Sequence, residues 1–189
     1  FDPEQCEYLL FFFFFSSLND RAQKISRCLV KLLNEANVSY GYLGQEEPCC
    51  GEMARRGGSE SNFRMMSDMA IETFKELGVK KIITGCPHCF NTFTNEYPDF
   101  NGEYEVIHHS RFLADLVAEG KLVPKDRITQ KVTFHDPCYL GRYNGEYESP
   151  RKILEAVPGV TLGEISDSRE RSRCCGAGAS RSWCSRPRA

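Results

Sequence analysis

The sequence has no apolar run long enough to cross a bilayer: the longest, Tyr8 to Phe15, is eight residues, against the roughly 20 that a spanning helix needs. It has no excess of charge of either sign. With 24 Lys and Arg against 26 Asp and Glu, it offers no cationic field for a phosphate backbone, which excludes generic nucleic-acid binding. It lacks a secretory signal, because Asp2, Glu4 and Glu7 stand where a positive segment belongs and no small-residue cleavage site follows. Phe1 rather than Met opens the chain, as expected of a fragment or a processed protein whose membrane anchor, if any, lies outside it. The localisation this implies is cytoplasmic, or the inner face of a membrane as part of a larger protein. At 189 residues and 41% hydrophobic composition the chain buries a core without covalent staples, so it is not a disulfide-held miniprotein.

Cysteine is what the chain has in excess. The ten stand at 6, 28, 49, 50, 86, 89, 138, 174, 175 and 184, and most are clustered. Cys49-Cys50-Gly51 and Cys174-Cys175-Gly176 are adjacent pairs followed by glycine, and Cys86-Pro87-His88-Cys89 is a C-x-x-C. A disulfide between neighbouring cysteines closes a strained ring, and a chain without an export signal belongs to a reducing compartment. Thiolate metal ligation explains the clustering better. Soft sulfur suits an iron-sulfur cluster, and paired cysteines on one loop can reach neighbouring irons. A four-thiolate structural zinc site, as part of a non-enzymatic interaction module, is the alternative. A thioredoxin-like redox pair at Cys86 and Cys89 is a further one, although it leaves Cys49 and Cys50 unexplained.

Hydrophobic periodicity predicts strand and helix in alternation. A strand over Tyr8 to Phe15 precedes a helix from Asn19 to Ala36, with Ala22, Ile25, Leu29, Leu32, Leu33 and Ala36 on one face, and a short strand around Ser39 to Leu43. A second helix spans Glu60 to Leu77 and ends at Gly78; a strand, Lys80 to Thr84, delivers the C-x-x-C, and the helix begun there ends before Tyr97-Pro98. A strand over Tyr104 to Ile107 and a helix over Arg111 to Glu119 follow. After a linker the pattern restarts with strand Lys131 to His135, helix Pro150 to Val157 and strand Val160 to Ile165. The fold class is therefore α/β: two similar half-domains with mostly parallel sheets and cysteine-bearing loops at the carboxyl ends of strands. Residues 1–120 form the first, 121–130 the linker and 131–189 a second, truncated one.

The two CCG triplets lie 125 residues apart. Carried back by that offset, Cys138 predicts a cysteine near position 13 or 14, where Phe11 to Phe15 stand instead; carried forward, Cys86 and Cys89 predict a second C-x-x-C near 211. The last residues, Ala179 to Ala189, are rich in Arg and Ser and read as an altered end. Cys28, beside the first helix's apolar stripe, is expected to be a buried small hydrophobe. Cys6 lies outside the repeat spacing and Cys184 is incidental. His108 and His109 are expected to cap or pack, and His135 to orient the loop of Cys138. Met65, Met66 and Met69 are ordinary helix residues, and Gly176-Ala177-Gly178 lacks the third glycine and preceding strand of a phosphate loop.

The CCG triplets, the C-x-x-C and the 35 residues between Cys50 and Cys86, matched by 35 between Cys138 and Cys174, resemble the cysteine-rich or CCG domain of heterodisulfide reductases and related iron-sulfur oxidoreductases. Gly85 to Thr92, Glu96-Tyr97-Pro98 and His135 to Gly145 look especially like members that pass electrons between electron-transfer flavoprotein and quinone. The resemblance implies an electron-transfer subunit holding one 4Fe-4S cluster, cubane or noncubane, through Cys49, Cys50, Cys86 and Cys89. The family's leading cysteine falls on Phe14. It implies a second, incomplete site at Cys138, Cys174 and Cys175, with no catalytic acid or base. The implied partner is an electron-donor or acceptor protein such as a flavoprotein or ferredoxin-type domain, with membrane contact only through segments outside this chain.

Overall fold

The structure is a computed structural model that describes residues 1–13, 16 and 19–176. Phe14, Gly178, Cys184 and the Arg- and Ser-rich tail lie outside the described residues.

Strand β1 (Tyr8–Phe11) is central to a four-stranded sheet of order β2-β1-β3-β4, in which β2 is Tyr40–Gly41, β3 Lys81–Thr84 and β4 Glu105–His108. Every pairing is parallel: Leu9 is level with Gly41 on one side and Ile82 on the other, and Ile83 is level with Ile107. Alternation along the strands divides the core in two. Leu9, Phe11 and Ile82 pack with Phe63, Ala70, Phe74 and Phe93 on one face; Leu10 and Ile83 pack with Leu29, Leu33, Leu113 and Leu116 on the other. Helices α1 (Asp20–Glu35) and α5 (His109–Ala118) cover the second face, and α3 (Glu60–Glu76) the first. This is a doubly wound sheet, and strand order reverses between β1 and β3.

Local chemistry sets the helix ends. Asn19 caps α1, its side-chain oxygen accepting from the backbone N–H of Arg21 and Ala22. Gly78 ends α3 at φ +65°, where its N–H reaches Lys75 O and the Val79 N–H reaches Phe74 O, the paired bonds of a left-handed stop. The apolar stripe of α1 is narrower than its sequence suggests, because Leu29, Leu33 and Ala36 are buried while Ile25 and Leu32 are exposed. Cys28 is exposed as well, which corrects its expected burial. One residue before Leu29 is about 100° round the helix, enough to turn it outward. The segment after β3 also runs further than its proline suggests. Helix α4 (Pro87–Asn91) widens into a π-helical turn, Thr92–Glu96, and tightens into a 3-10 turn, Tyr97–Phe100, in which Pro98 sits in the first turn, where its missing N–H costs nothing.

A second strand-helix-strand unit follows: β5 (Gln130–Val132), α6 (Glu148–Ala156) and β6 (Val160–Leu162), with β5 and β6 parallel. Both strands stop short of their predicted ends. After Val132 the chain leaves the pairing and Asp136 turns inward, where Arg151 donates to both of its carboxylate oxygens at 2.7 and 2.9 Å and also binds Glu164. The backbone N–H of Arg169 adds a third bond to Asp136 at 2.7 Å. His135 is exposed, so Asp136, rather than the histidine before it, orders the loop of Cys138. Helix α6 packs on α5, and Ile153 joins the core of the first sheet.

Phe93 is fully buried and edge-on to Phe11, Phe74 and Tyr97. Phe93→Ala is expected to cost about 3–5 kcal/mol in urea unfolding. Burial raises the Asp136 carboxyl, but the bonds from Arg151 and Arg169 outweigh it and hold its pKa below the ordinary value. A depressed carboxylate stabilises the fold above its unfolded pKa and loses that contribution as pH falls. Stability is therefore expected to drop below about pH 4, and Arg151→Met, which strands a buried carboxylate, is expected to flatten that acid limb while lowering stability at pH 7.

Candidate metal centre

Cys86 follows β3 after Gly85, at the residue that opens α4, and its N–H donates to Thr84 Oγ1 at 3.3 Å. Pro87 at the first helical position favours that start. One turn on, Cys89 comes to the same side as Cys86 and is fully buried. Cys49 and Cys50 arrive from the other side of β1, on the loop that leaves β2 through a 3-10 turn, Gly44–Glu46. Both loops meet at the carboxyl edge where strand order reverses.

Gly51 explains the third letter of the first triplet. Its φ is +80°, and a Cβ there would lie 2.9 Å from Phe63 Cδ2, so both backbone and space require glycine. It opens the short helix α2 (Glu52–Arg56), which the periodicity does not reveal. Its N–H points back to Cys49 Sγ at 3.5 Å. The second triplet makes the same turn: Gly176 has φ +76°, and its N–H lies 3.3 Å from Cys174 Sγ. The repeat is thus one of conformation as well as spelling.

The four sulfurs of the first half form a chain of contacts. Cys50 Sγ and Cys89 Sγ are 3.2 Å apart, Cys49 bonds Cys50, and Cys86 bonds Cys89. Charge divides unevenly among them. Hydrogen bonds from Cys49 and Cys89 hold the Cys50 thiol well below its ordinary value despite burial. The bond from Cys89 takes Cys86 down to about 6, against burial and with help from His88. Cys49, which donates to Cys50, and Cys89, which is deeply buried, are pushed up. Burial lowers the His88 imidazole, but its bond to Cys86 and the charges of Cys86, Glu52 and Cys50 together raise it.

The surrounding residues fix the loops. Tyr97, fully buried, donates its hydroxyl to Cys50 O at 3.2 Å. Glu47 accepts from the N–H of Phe12 and Phe13 at 3.0 and 2.8 Å, tying the end of β1 to the cysteine loop, and burial lifts its carboxyl to about 7. Phe13, at one of the two positions where the repeat predicts a cysteine, packs against the cluster containing Cys50 and Cys89. Arg55 and Arg56 both bind Glu96, which also accepts from Asn91. Asp136, Tyr97 and Glu96 escape a reading of the sequence; the acid beside Pro137 and Cys138 is the visible signal for the first.

Cys138, Cys174 and Cys175 are near enough that the charges of the last two add to the burial that raises Cys138. Arg142 joins their loops through Ser172 O at 2.7 Å. Cys138 is half-buried and the pair exposed, whereas Cys50 and Cys89 are in the core. Cys6 precedes β1 at the opposite edge of the sheet. His108 caps α5, its Nδ1 facing the Ser110 N–H and lying 2.7 Å from Ser110 Oγ. Among the described residues no group of three or more His, Cys, Asp or Glu side chains is set around a single metal-ion position. The fit to a cluster lies in the donors: four sulfurs on two loops, two of them readily deprotonated, with a backbone N–H on one.

The cysteine-rich domain family matches residues 15–94 and again 132–187. The chain is 47% identical over 182 residues, 96% of its length, to the EtfAB:quinone oxidoreductase of Syntrophomonas wolfei, covering 25% of that protein. It is 47% identical over the same share to the probable iron-sulfur-binding oxidoreductase FadF of Bacillus subtilis, covering 26% of it. With one subunit of the dihydromethanophenazine:CoB–CoM heterodisulfide reductase of Methanosarcina mazei it shares 38% over 154 residues, 78% of this chain and 38% of that one. The chain therefore spans about a quarter of the length of the first two relatives. No solved structure matches it at a significant level. The two matched segments carry the two CCG triplets and cover most of the sequence, and the chain belongs to the cysteine-rich domain family.

Proposed function

We propose that this chain is the cluster-binding part of an iron-sulfur oxidoreductase subunit whose work is electron transfer. What carries the reading is the meeting of Cys49, Cys50, Cys86 and Cys89 at one edge of the sheet. These four residues hold one 4Fe-4S cluster, which supplies reversible one-electron storage when bound. The chain's own contribution is to place and tune. Gly51 N–H bonds Cys49 Sγ, Tyr97 holds the Cys50 main chain, and the aromatic core of Phe11, Phe63 and Phe93 keeps water from the buried side. No general acid or base is needed.

Residues 1–120 form one half and 131–189 the other, with Cys138, Cys174 and Cys175 as a weaker three-thiolate site. The names of the relatives, a quinone oxidoreductase of EtfAB and a probable membrane-anchored ferredoxin among them, support a flavoprotein or ferredoxin-type domain as electron partner. No helix among the described residues is long and apolar enough to cross a membrane, and we place the chain on the cytoplasmic side, joined to the membrane through other segments.

Anaerobically prepared protein is expected to be brown, to carry iron and acid-labile sulfide, and to bleach with dithionite; colourless protein with stoichiometric zinc overturns the reading in favour of a zinc module. Cys86→Ser is expected to lose most of the iron, while Cys28→Ser, on the exposed side of α1, keeps it all. Gly51→Ala and Gly176→Ala share a left-handed backbone cost of about 1–2 kcal/mol, but only the first also drives a Cβ into Phe63. Gly51→Ala is expected to lose both stability and iron, and Gly176→Ala to keep the iron of the first half; equal iron content in the two variants rules out Gly51 as the pivot of the site.

A further inference from the structure

The second half reaches into the first at one place. Tyr139, the residue after Cys138, is buried although its own cysteine neighbours are not. Its ring lies 4.6 Å from that of His88, the residue before Cys89, tilted by 48°. The Arg56 guanidinium stands 5.2 Å from the Tyr139 ring centre, and Tyr143 stacks on it at 4.6 Å and 17°. The main chain is held too: Asn144 Nδ2 donates to Tyr139 O at 2.5 Å and to Asn91 Oδ1 at 3.1 Å, and Asn95 Nδ2 donates to Asn144 Oδ1 at 2.8 Å. Asn91 and Asn95 belong to the segment that begins with Cys86 and Cys89. The asparagines therefore fix Tyr139 in register with the C-x-x-C, and the rings of His88 and Tyr143 with the Arg56 cation fix its plane.

We infer that Tyr139 is a positioning residue for the cysteine centre of the first half, clamping His88 against Cys86 and closing that side of the centre to water. The inference rests on the cluster reading above. An imidazole in the first turn of α4 has two torsions with which to swing into solvent; a ring packed on its face removes that freedom. Hydrogen bonds to a ligand sulfur and solvent exclusion are the two levers by which a protein shell governs such a centre, and Tyr139 acts on both through His88. The contacts are made by its ring and main chain, so phenylalanine is expected to serve in its place.

The test uses the full chain, loaded with iron and sulfide under anaerobic conditions, and follows the rate at which ferrozine withdraws iron, with the paramagnetic resonance spectrum of the dithionite-reduced protein as second readout. Tyr139→Leu is expected to release iron about 10-fold faster and to shift the g-values, while Tyr139→Phe matches the wild type in both. In a His88→Ala background Tyr139→Leu is expected to add little, because the two residues act as a unit. Should Tyr139→Leu fail to fold, Asn144→Ala, which frees the Tyr139 carbonyl but keeps the ring, is expected to speed release by a smaller factor. Wild-type release and spectra in Tyr139→Leu, additive effects with His88→Ala, or wild-type release in Asn144→Ala where Tyr139→Leu does not fold, overturn the inference. A wild-type chain that takes up no iron sinks the cluster reading itself.

Discussion

Parallel pairing of β1 with both β2 and β3 places the exits of all three strands at one edge, and the reversal of strand order there leaves room between the loops. Cysteines separated by 35 residues of chain meet because each follows a neighbouring strand of the same sheet. Helix α3 occupies much of that interval, and its packing on Leu9, Phe11 and Ile82 holds the two loops at fixed separation. Residues in this core are therefore as much a part of the centre as the sulfurs themselves. Cys50 and Cys89 belong to the core cluster outright, so the folding of the first half and the placing of its thiols are one process.

The second half keeps the turn but not the setting. Its glycine adopts the same left-handed conformation and its N–H meets the same sulfur, yet Cys174 and Cys175 are exposed where Cys50 is buried. In place of an aromatic core it is organised by an ion-paired network of Asp136, Arg151 and Glu164. Such a network specifies geometry without contributing much net stability. The division of labour follows: one half supplies the deep donor set, and the other supplies a structured wall.

Much of this architecture is legible in the sequence for reasons of pattern. Asn19 and Gly78 are local stop signals, so α1 and α3 are read to within a residue or two. The α/β class follows from alternation, and the candidate site from the cysteine spacing. What escapes depends on contacts that no period encodes. Cys28 lies one position off a stripe that tertiary packing narrows. His135 draws attention over Asp136 in a metal context, whereas the burial of the acid depends on Arg151, 15 residues further along the chain. Helix α2, five residues long, is too short to show a period, and the widening of α4 into a π-turn leaves no signature in hydrophobicity.

That widened turn has a consequence for how the segment can vary. A π-turn accommodates one more residue than an α-helix in the same rise, so Thr92–Glu96 resets the angular phase of everything after it. Glu96 meets Arg55 and Arg56, and Tyr97 meets the Cys50 carbonyl, only in the phase it sets. Removing a single residue here would ease the backbone into a more regular helix and yet rotate both side chains by about 100°, away from their partners. Length in this stretch is thus constrained more tightly than composition, and alterations that conserve residue number will be tolerated where deletions are not.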